Sequence, residues 1–372
     1  MQVAPVTRAT RRWLTLLVVL PVLAAAGCGY GSQAADDAPP SVAAEGAGVG
    51  GLDEVRIGYF ANITHATALV GLEQGLFQEE LGGTRIKELT FNAGPAEIEA
   101  LNGGAIDIGW IGPSPAINGY TRSGGSNLRI VAGSASGGVS LVVNPRKVPD
   151  AAALAGRTIA SPQLGNTQDV ALLDYLARHG TTVDAQTGRG DVKVQRVDNK
   201  EIPALFERGD VDGAWVPEPV AARLVTAGGK VLVDERDLWP DGRFVVTNVV
   251  VSQRFLAAHP EAVEAVLRGS VRTNAWINGH PGQAKASAAA KLKALSGTEL
   301  PPKVLDLAFG HIEVLDDPLA GTLREEAAHA VAAGLLRDPL LDRIYDLGPL
   351  NRVLRAAGLP AVDDAGLGAH RQ

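Results

Sequence analysis

The chain has 372 residues, which is long for a single hydrophobic core and suits about two domains. Hydrophobic residues make up 46% and charged residues 20%, the balance of a folded globular protein, and the net charge of -7 argues against a nucleic-acid partner. The only cysteine, Cys28, excludes an intramolecular disulfide and a cysteine-based metal site, so we expect no metal and no cofactor.

The amino-terminal residues have the pattern of an export signal. Three arginines precede an apolar run at 13–26, which is too short to span a membrane stably and is typical of a signal peptide. Small residues then lead into Cys28. This pattern resembles the lipobox of bacterial lipoproteins, in which the cysteine is lipidated; the alternative is a plain signal peptide with an incidental cysteine. We predict a signal peptide at 1–27 and lipidation at Cys28.

Residues 28–54 consist mainly of glycine, serine, alanine, proline and aspartate. Such a segment buries too little apolar surface to fold by itself, and we interpret it as a flexible tether. The predicted location is the extracytoplasmic face of the cell membrane, with a lipid as the membrane anchor. Arg11 and Arg12 leave the choice between general and twin-arginine export open.

Strand and helix patterns alternate from Val55 onwards. This alternation predicts an α/β protein with parallel sheets covered by helices, followed by a helical carboxyl-terminal extension after Ser252. The predicted strands are 55–60, 85–91, 107–111, 128–132, 140–143, 157–161, 192–198, 213–216 and 244–252. The predicted helices are 66–77, one from 95, one ending at 123, 167–179, 201–208, 220–227, 253–278, 283–295, 302–312, 319–333 and 349–357.

A second α/β unit begins after Asn144 and Pro145, where the pattern restarts. A Gly-x-x-Asp-x-x-Trp motif that starts at Gly104 recurs at Gly209, each time ahead of an apolar strand. The repetition indicates two α/β lobes of similar construction.

Four segments resemble the SsuA/TauA-type family of periplasmic binding proteins, which serves nitrate, taurine and aliphatic-sulfonate importers. The segments are 68–77 (ALVGLEQGLF), 100–117 (ALNGGAIDIGWIGPSPAI), 154–169 (LAGRTIASPQLGNTQD) and 204–221 (ALFERGDVDGAWVPEPVA). The resemblance implies a two-lobed, type II periplasmic-binding-protein fold, with partners in the permease and ATPase of an ABC importer.

The same resemblance implies the domain boundaries. Lobe 1 is expected at 55–142 plus 247–372, and lobe 2 at 143–246. The chain then crosses between lobes near 142–144 and near 245–247. Two such crossings form a hinge, and a small-molecule ligand binds between the lobes as they close. We expect a monomer.

Three predicted helix starts carry polar residues that suit an anion. Free N–H groups and the positive end of the helix dipole at such positions bind oxyanions, and the resemblance implies that all three face the cleft. The first site has Asn62 and His65, at the start of the helix 66–77. The second has Gly112 and Ser114, at the start of the helix that ends at 123. The third, in lobe 2, has Asn166, Thr167 and Gln168. The predicted ligand is an aliphatic sulfonate, taurine or similar oxyanion, although no arginine or lysine marks the site.

Each of these side chains also has a structural interpretation. Asn62, Ser114 and Asn166 are residue types that cap helices without touching a ligand. His65 suits a turn as well as a binding site, and so does Ser136 in its glycine-bounded loop.

Two further candidates come from the segment that follows the Gly209 motif. Trp215 is either a wall of the cleft or part of the core. Glu218 resembles a family acid that would meet an amino group, and the alternative is a solvated loop charge.

Other functions stay open at this point. A heterocycle such as a thiamine-precursor pyrimidine or riboflavin is the alternative ligand, with Trp215 stacking on it. A sensor or surface interaction protein is a further alternative. We do not expect an enzyme, because no nucleophile elbow, phosphate loop or dinucleotide fingerprint is present. The nearest enzyme class that shares the implied fold is a pyrimidine-precursor synthase; its relatives use cysteine and histidine chemistry, whereas the sole cysteine here is Cys28.

Overall fold

The computed structural model describes residues 48–369. The predicted signal peptide, Cys28 and most of the predicted tether lie outside these residues. In the described part of the chain, no helix is long and apolar enough to cross a membrane.

The strands between residues 48 and 369 fall into two sheets. In chain order they are β1 (Glu54–Phe60), β2 (Arg85–Phe91), β3 (Ile108–Ile111), β4 (Leu128–Gly137), β5 (Val139–Val143), β6 (Thr158–Ser161), β7 (Lys193–Arg196), β8 (Gly213–Pro217), β9 (Lys230–Asp234), β10 (Val245–Ser252) and β11 (Ile312–Val314).

The α-helices of the same range alternate with these strands at first and then dominate the last hundred residues. They are α1 (Ala66–Glu73), α2 (Leu76–Leu81), α3 (Gly94–Asn102), α4 (Pro113–Arg122), α5 (Thr167–Arg178), α6 (Ile202–Arg208), α7 (Val220–Thr226), α8 (Gln253–Ala258), α9 (Pro260–Gly279), α10 (Pro281–Ser296), α11 (Pro302–His311), α12 (Leu323–Ala332) and α13 (Gly348–Ala356).

Sheet 1 has the strand order β11-β4-β10-β3-β1-β2, and sheet 2 has the order β7-β6-β8-β5-β9. The strands β1, β2 and β3 are parallel, as are β6, β7 and β8, whereas β10 runs antiparallel to β3 and β4, and β5 antiparallel to β8 and β9. The predicted two-sheet α/β fold is confirmed, but both sheets are mixed rather than wholly parallel. The first strand after each crossing, β5 or β10, is antiparallel to its neighbours, and the edge strand β11 is antiparallel to β4.

The first crossing between the sheets lies at Gly137 and Gly138, not near 142–144 as predicted. Both glycines have a left-handed φ, 73° and 72°, which residues with a β-carbon rarely adopt. Strand β5 follows at once and pairs with β8 and β9, so residues 139–142 belong to sheet 2. The sequence signal at Asn144-Pro145 is a turn inside the second lobe.

The second crossing occupies residues 235–244, ahead of the predicted 245–247, because β10 is hydrogen-bonded in sheet 1 from Val245 onwards. Strand β10 lies between β3 and β4 at the centre of that sheet. The predicted strongly apolar strand is therefore the one that returns the chain to the first lobe.

Separate hydrophobic clusters cover the faces of the two sheets. Trp110 and Phe77 pack edge-to-face in the cluster under α1, α2 and α9, with ring centroids 5.3 Å apart. The cluster on the other face of sheet 1 includes residues of α4, α12 and β10, and two further clusters belong to sheet 2. Helix α12 also contacts α5, so the carboxyl-terminal extension reaches both lobes.

Three local predictions differ from the structure. The predicted helix 66–77 is interrupted at Gly75, whose φ of 70° ends α1 and starts α2. The predicted helix 253–278 is divided before Pro260, which has no N–H to continue α8. The strands β9 and β11 were not predicted, since each is short and lies at a sheet edge.

Candidate functional site

The polar loops predicted from the sequence follow the carboxyl ends of parallel strands. The loop at 61–65 follows β1, Gly112 follows β3, and the loop that ends at Asn166 follows β6. Ligands of open α/β sheets bind at this edge. In this protein the edges of the two sheets face each other across a direct contact between the lobes.

Three backbone contacts join the lobes at this edge. The N–H of Gly94, in the first turn of α3, donates to Oδ1 of Asn166 at 3.3 Å. The N–H of Ile63 donates to the carbonyl of Glu218 at 2.9 Å. A β-carbon added at Gly112 would overlap Oγ1 of Thr167, so glycine permits the close approach of α5 to the β3–α4 turn.

The hydroxyl groups of Ser114 and Thr167 are buried and have no hydrogen-bond partner among the described residues. Ser114 lies in the first turn of α4, and Thr167 is the first residue of α5. Buried polar atoms are normally paired, and an exception calls for an explanation. The free backbone N–H groups of Ser114, Thr167 and Gln168 add donors of the kind that bind anions.

The amide side chains near these hydroxyls do not cap their helices. Asn62 and Asn166 occupy amino-terminal cap positions, yet neither side chain accepts a hydrogen bond from the following turn. Asn166 instead bonds to Gly94 of the other lobe and donates from Nδ2 to Oε1 of Gln168 at 2.7 Å. Capping therefore does not explain these two residues, and Asn166 positions the lobes relative to each other.

His65 is a buried neutral side chain. Its Nδ1 accepts a hydrogen bond from the N–H of Phe60 at 3.3 Å, and burial lowers the pKa of the imidazole to about 3. In the neutral ring the proton is then on Nε2, which is the remaining donor. His65 fits the turn interpretation, because its hydrogen bond with Phe60 closes the bend after β1.

The structure gives Ser136 a structural hydrogen bond, although Ser136 also lines a cavity at the second crossing, and it places Trp215 in the core. The hydroxyl of Ser136 accepts a hydrogen bond from the N–H of Phe244 at 3.2 Å and so supports the second crossing. Trp215 is fully buried in the core of the second lobe, and its indole N–H donates to Glu235 at 2.7 Å. Its ring packs against Tyr175 at 5.4 Å, so core packing accounts for Trp215 and we remove it from the site.

Glu218 is neither a ligand-facing acid nor a solvated charge. It is 1% exposed, its Oε2 accepts from the N–H of Ala222 at 2.9 Å, and its Oε1 bonds Nδ1 of His311 at 2.7 Å. His311 ends α11 in the first lobe, so this pair bridges the lobes. The hydrogen bond with Glu218 raises the pKa of His311.

Two residues near the site were missed by the sequence reasoning. Asn248 lies in β10 directly opposite Ile111, and both polar atoms of its fully buried amide lack a partner among the described residues. An asparagine inside a valine-rich strand is unusual, and the sequence could have indicated Asn248 as a candidate on that ground. Arg223 on α7 lines a cavity between the lobes, and it lies two residues beyond the motif segment 204–221, where an arginine on a short helix gave no comparable signal.

Within residues 48–369, no group of three or more histidine, cysteine, aspartate or glutamate residues is arranged to hold a metal ion. At the starts of α4 and α5, hydroxyls, amides and backbone N–H groups are the donors that the lobe contact offers.

Two sheets joined by two crossings, with polar groups at the facing edges, define the periplasmic-binding-protein fold. Residues 50–293 match the model of the NMT1-like family, and the chain belongs to that family. The taurine-binding periplasmic protein of Escherichia coli (strain K12) is 28% identical over 204 residues, 55% of this chain and 61% of its own length. A protein of Brucella abortus (strain 2308) described as a binding protein is 28% identical over 217 residues, 57% of this chain and 63% of its own length.

Solved structures show the same fold. The alkanesulfonate-binding protein SsuA from Xanthomonas axonopodis pv. citri, bound to MOPS, aligns with a TM-score of 0.62 and 22% identity, covering 77% of this chain and 95% of that one. The resemblance to SsuA/TauA-type proteins predicted from the four motifs is confirmed. The matches span less than two thirds of the length of the first curated relatives.

Proposed function

We propose that this protein is an extracytoplasmic, lipid-anchored solute-binding protein that delivers a small organic sulfonate or similar oxyanion to an ABC importer. The solute is held between the lobes, with its anionic group against the starts of α4 and α5. The partners are the permease and ATPase of the importer, and the protein works as a monomeric binding protein rather than as an enzyme.

The pair of unpartnered hydroxyls at Ser114 and Thr167 is the observation that carries this proposal. Both are buried at the contact between the lobes, and each begins a helix whose first N–H groups are free. An oxyanion placed there accepts from both hydroxyls and from the backbone at once. The names of the relatives in Escherichia coli and Xanthomonas, which refer to taurine and alkanesulfonate, support the same class of solute.

The heterocycle alternative loses its main support. Its stacking residue was Trp215, which lies in the core. The cavity between the lobes that Asn62 lines has a volume of about 140 Å³, whereas pockets for drug-sized molecules typically measure about 300–1,000 Å³.

A thermal-shift panel tests the class of solute. Taurine, alkanesulfonates, nitrate, sulfate, a hydroxymethylpyrimidine and riboflavin are added to the purified protein. A ligand at a hundredfold excess over Kd stabilises the folded state by about 2.7 kcal/mol, a shift that such an assay resolves. We expect a sulfonate to raise the unfolding temperature and the two heterocycles to leave it unchanged.

The variant Thr167→Val connects the panel to the site. It removes a buried hydroxyl that has no protein partner and keeps the side-chain shape, so the ligand-free protein should be as stable as wild type or slightly more stable. Affinity for the sulfonate should fall roughly tenfold or more, the usual cost of a lost bond to a charged group. If a heterocycle alone shifts the protein, or if Thr167→Val destabilises it without altering affinity, the oxyanion assignment is wrong.

A further inference from the structure

A cavity of about 140 Å³ opens between the lobes beside the proposed oxyanion site. Its wall comes from four strand ends and two helices, and it therefore exists only where the lobes meet. The lining residues include Asn62 after β1, Asn92 after β2, Asn199 after β7 and Arg223 on α7, with Val220 and Leu292 as apolar wall.

The polar groups of this cavity lack protein partners. The guanidinium group of Arg223 is half-buried and makes no ion pair or hydrogen bond with any residue of the described range. Asn199 is 8% exposed, and its amide oxygen is buried without a partner in that range. The neighbouring Lys200, by contrast, is paired with Asp198 at 3.4 Å. Arg223 is thus the cation of this cavity that a solute can engage.

The cavity lies close to the start of α5, where the oxyanion site is proposed. Asn92, which lines it, is two residues from Gly94, and Gly94 is hydrogen-bonded to Asn166 at the start of α5. Two residues of chain span at most about 7 Å. A solute whose anionic group lies against Thr167 therefore has the wall of this cavity within a short distance of its other end.

We propose that Arg223 binds a second anionic group of the same solute, so that the preferred ligand is a short sulfonate that also carries a carboxylate. This inference rests on the proposed function. A guanidinium group stays charged at any physiological pH and matches a carboxylate with two parallel hydrogen bonds. The amide of Asn199 completes the carboxylate site, since a half-turn of its terminal torsion presents the nitrogen as a donor.

Two probes that differ only in the second charge test the inference. Calorimetric titration of the purified full-length protein compares 3-sulfopropanoate with 3-sulfopropanamide. We expect the wild-type protein to bind the carboxylate roughly ten- to a hundredfold more tightly than the amide. In Arg223→Gln this preference is lost, because the affinity for 3-sulfopropanoate falls to that for the amide.

Arg122→Gln is the matched control. Arg122 is exposed in a groove between α3 and α4, outside the cavity, and also makes no ion pair within residues 48–369. Its loss removes the same charge and leaves the preference intact. Three results would overturn this inference and leave the proposed oxyanion function standing. The first is equal affinity of the wild-type protein for the two probes. The others are a preference retained in Arg223→Gln and a preference lost in Arg122→Gln. If neither probe binds to the wild-type protein, both the proposed oxyanion function and this inference are contradicted.

Discussion

Glu235 shows how one buried carboxyl couples this fold to pH. It is 3% exposed, it accepts the indole hydrogen bond of Trp215, and burial raises its pKa to about 7. Burial likewise raises the pKa of Glu97 and Glu326 well above the ordinary range. A raised carboxyl pKa means that the folded protein holds a proton that the unfolded chain releases. The contribution of Glu235 to the free energy of unfolding is therefore fully present below about pH 4.5, and it is lost as the pH rises through 7.

The variant Glu235→Gln should weaken this pH dependence. Glutamine keeps an oxygen that accepts from Trp215 and does not ionise, so about 3 kcal/mol of pH-dependent free energy, the equivalent of the raised pKa, is removed. We expect the unfolding temperature of the variant to exceed that of wild type at pH 8.5 and to match it at pH 5. Tryptophan fluorescence of the wild type, titrated across pH 7, reports the same group.

The exposed Glu99 supplies the control for this titration. Glu99→Gln removes an equal charge and should reproduce the wild-type curve. A Glu235→Gln protein whose unfolding temperature declines with pH as steeply as wild type contradicts the assignment.

At the scale of elements, the contact between α11 and the β8–α7 loop is a polar bridge between the lobes that depends on pH. His311 and Glu218 form it at 2.7 Å, and the bond raises the pKa of His311. Burial partly offsets this rise, and the smaller effects are those of Arg236, which lowers the pKa, and Asp234, which raises it. A raised histidine pKa means that the bridge contributes fully below about pH 6.5. The contribution disappears as pH rises through the raised value, because the ring loses its charge.

We therefore expect the lobes to release a bound sulfonate faster as pH increases from 6 to 9. Stopped-flow measurement of the dissociation rate checks this, and small-angle scattering checks that the radius of gyration of the ligand-bound protein rises over the same range. His311→Gln should give a rate that is already high at pH 6 and changes little. His280→Gln, at an exposed turn between α9 and α10, should behave as wild type. A pH-independent wild-type rate contradicts this role.

The starts of elements were predictable from the sequence, and partnerships across the fold were not. Thr167 was placed correctly as the first residue of α5, and Gly112 as the turn before α4, because residue types at helix starts are local signals. The partner of Glu218 lies 93 residues away, and the partner of Trp215 lies 20 residues away. No local pattern encodes such pairings, which depend on how the two sheets are packed.

The crossing at Gly137 and Gly138 was misplaced for a related reason. A strand that ends one lobe and a strand that begins the next have the same alternation, so periodicity cannot assign Val139 to either sheet. The left-handed φ of the two glycines marks the boundary, and glycine pairs also occur at ordinary turns.

At the scale of the whole molecule, the proposed location depends on Cys28, which lies outside the described residues. Replacing Cys28 with alanine should move the protein from the membrane fraction to the soluble fraction and leave the affinity for a sulfonate unchanged, since every residue of the proposed site lies within residues 48–369. Mass spectrometry of the membrane-bound wild type should find an acylated amino-terminal peptide. A membrane-bound protein without an acyl chain contradicts the lipid anchor.

The unpartnered hydroxyls of Ser114 and Thr167 have a consequence for how an importer would use ATP. Bringing the lobes together without a solute leaves both groups cut off from water, at a cost of about 1–3 kcal/mol each. The pair makes empty closure rarer by roughly thirtyfold or more. In the proposed importer, a permease that responds to the closed shape would then trigger little ATP hydrolysis by the ATPase in the absence of solute, and two side-chain oxygens would limit that futile hydrolysis.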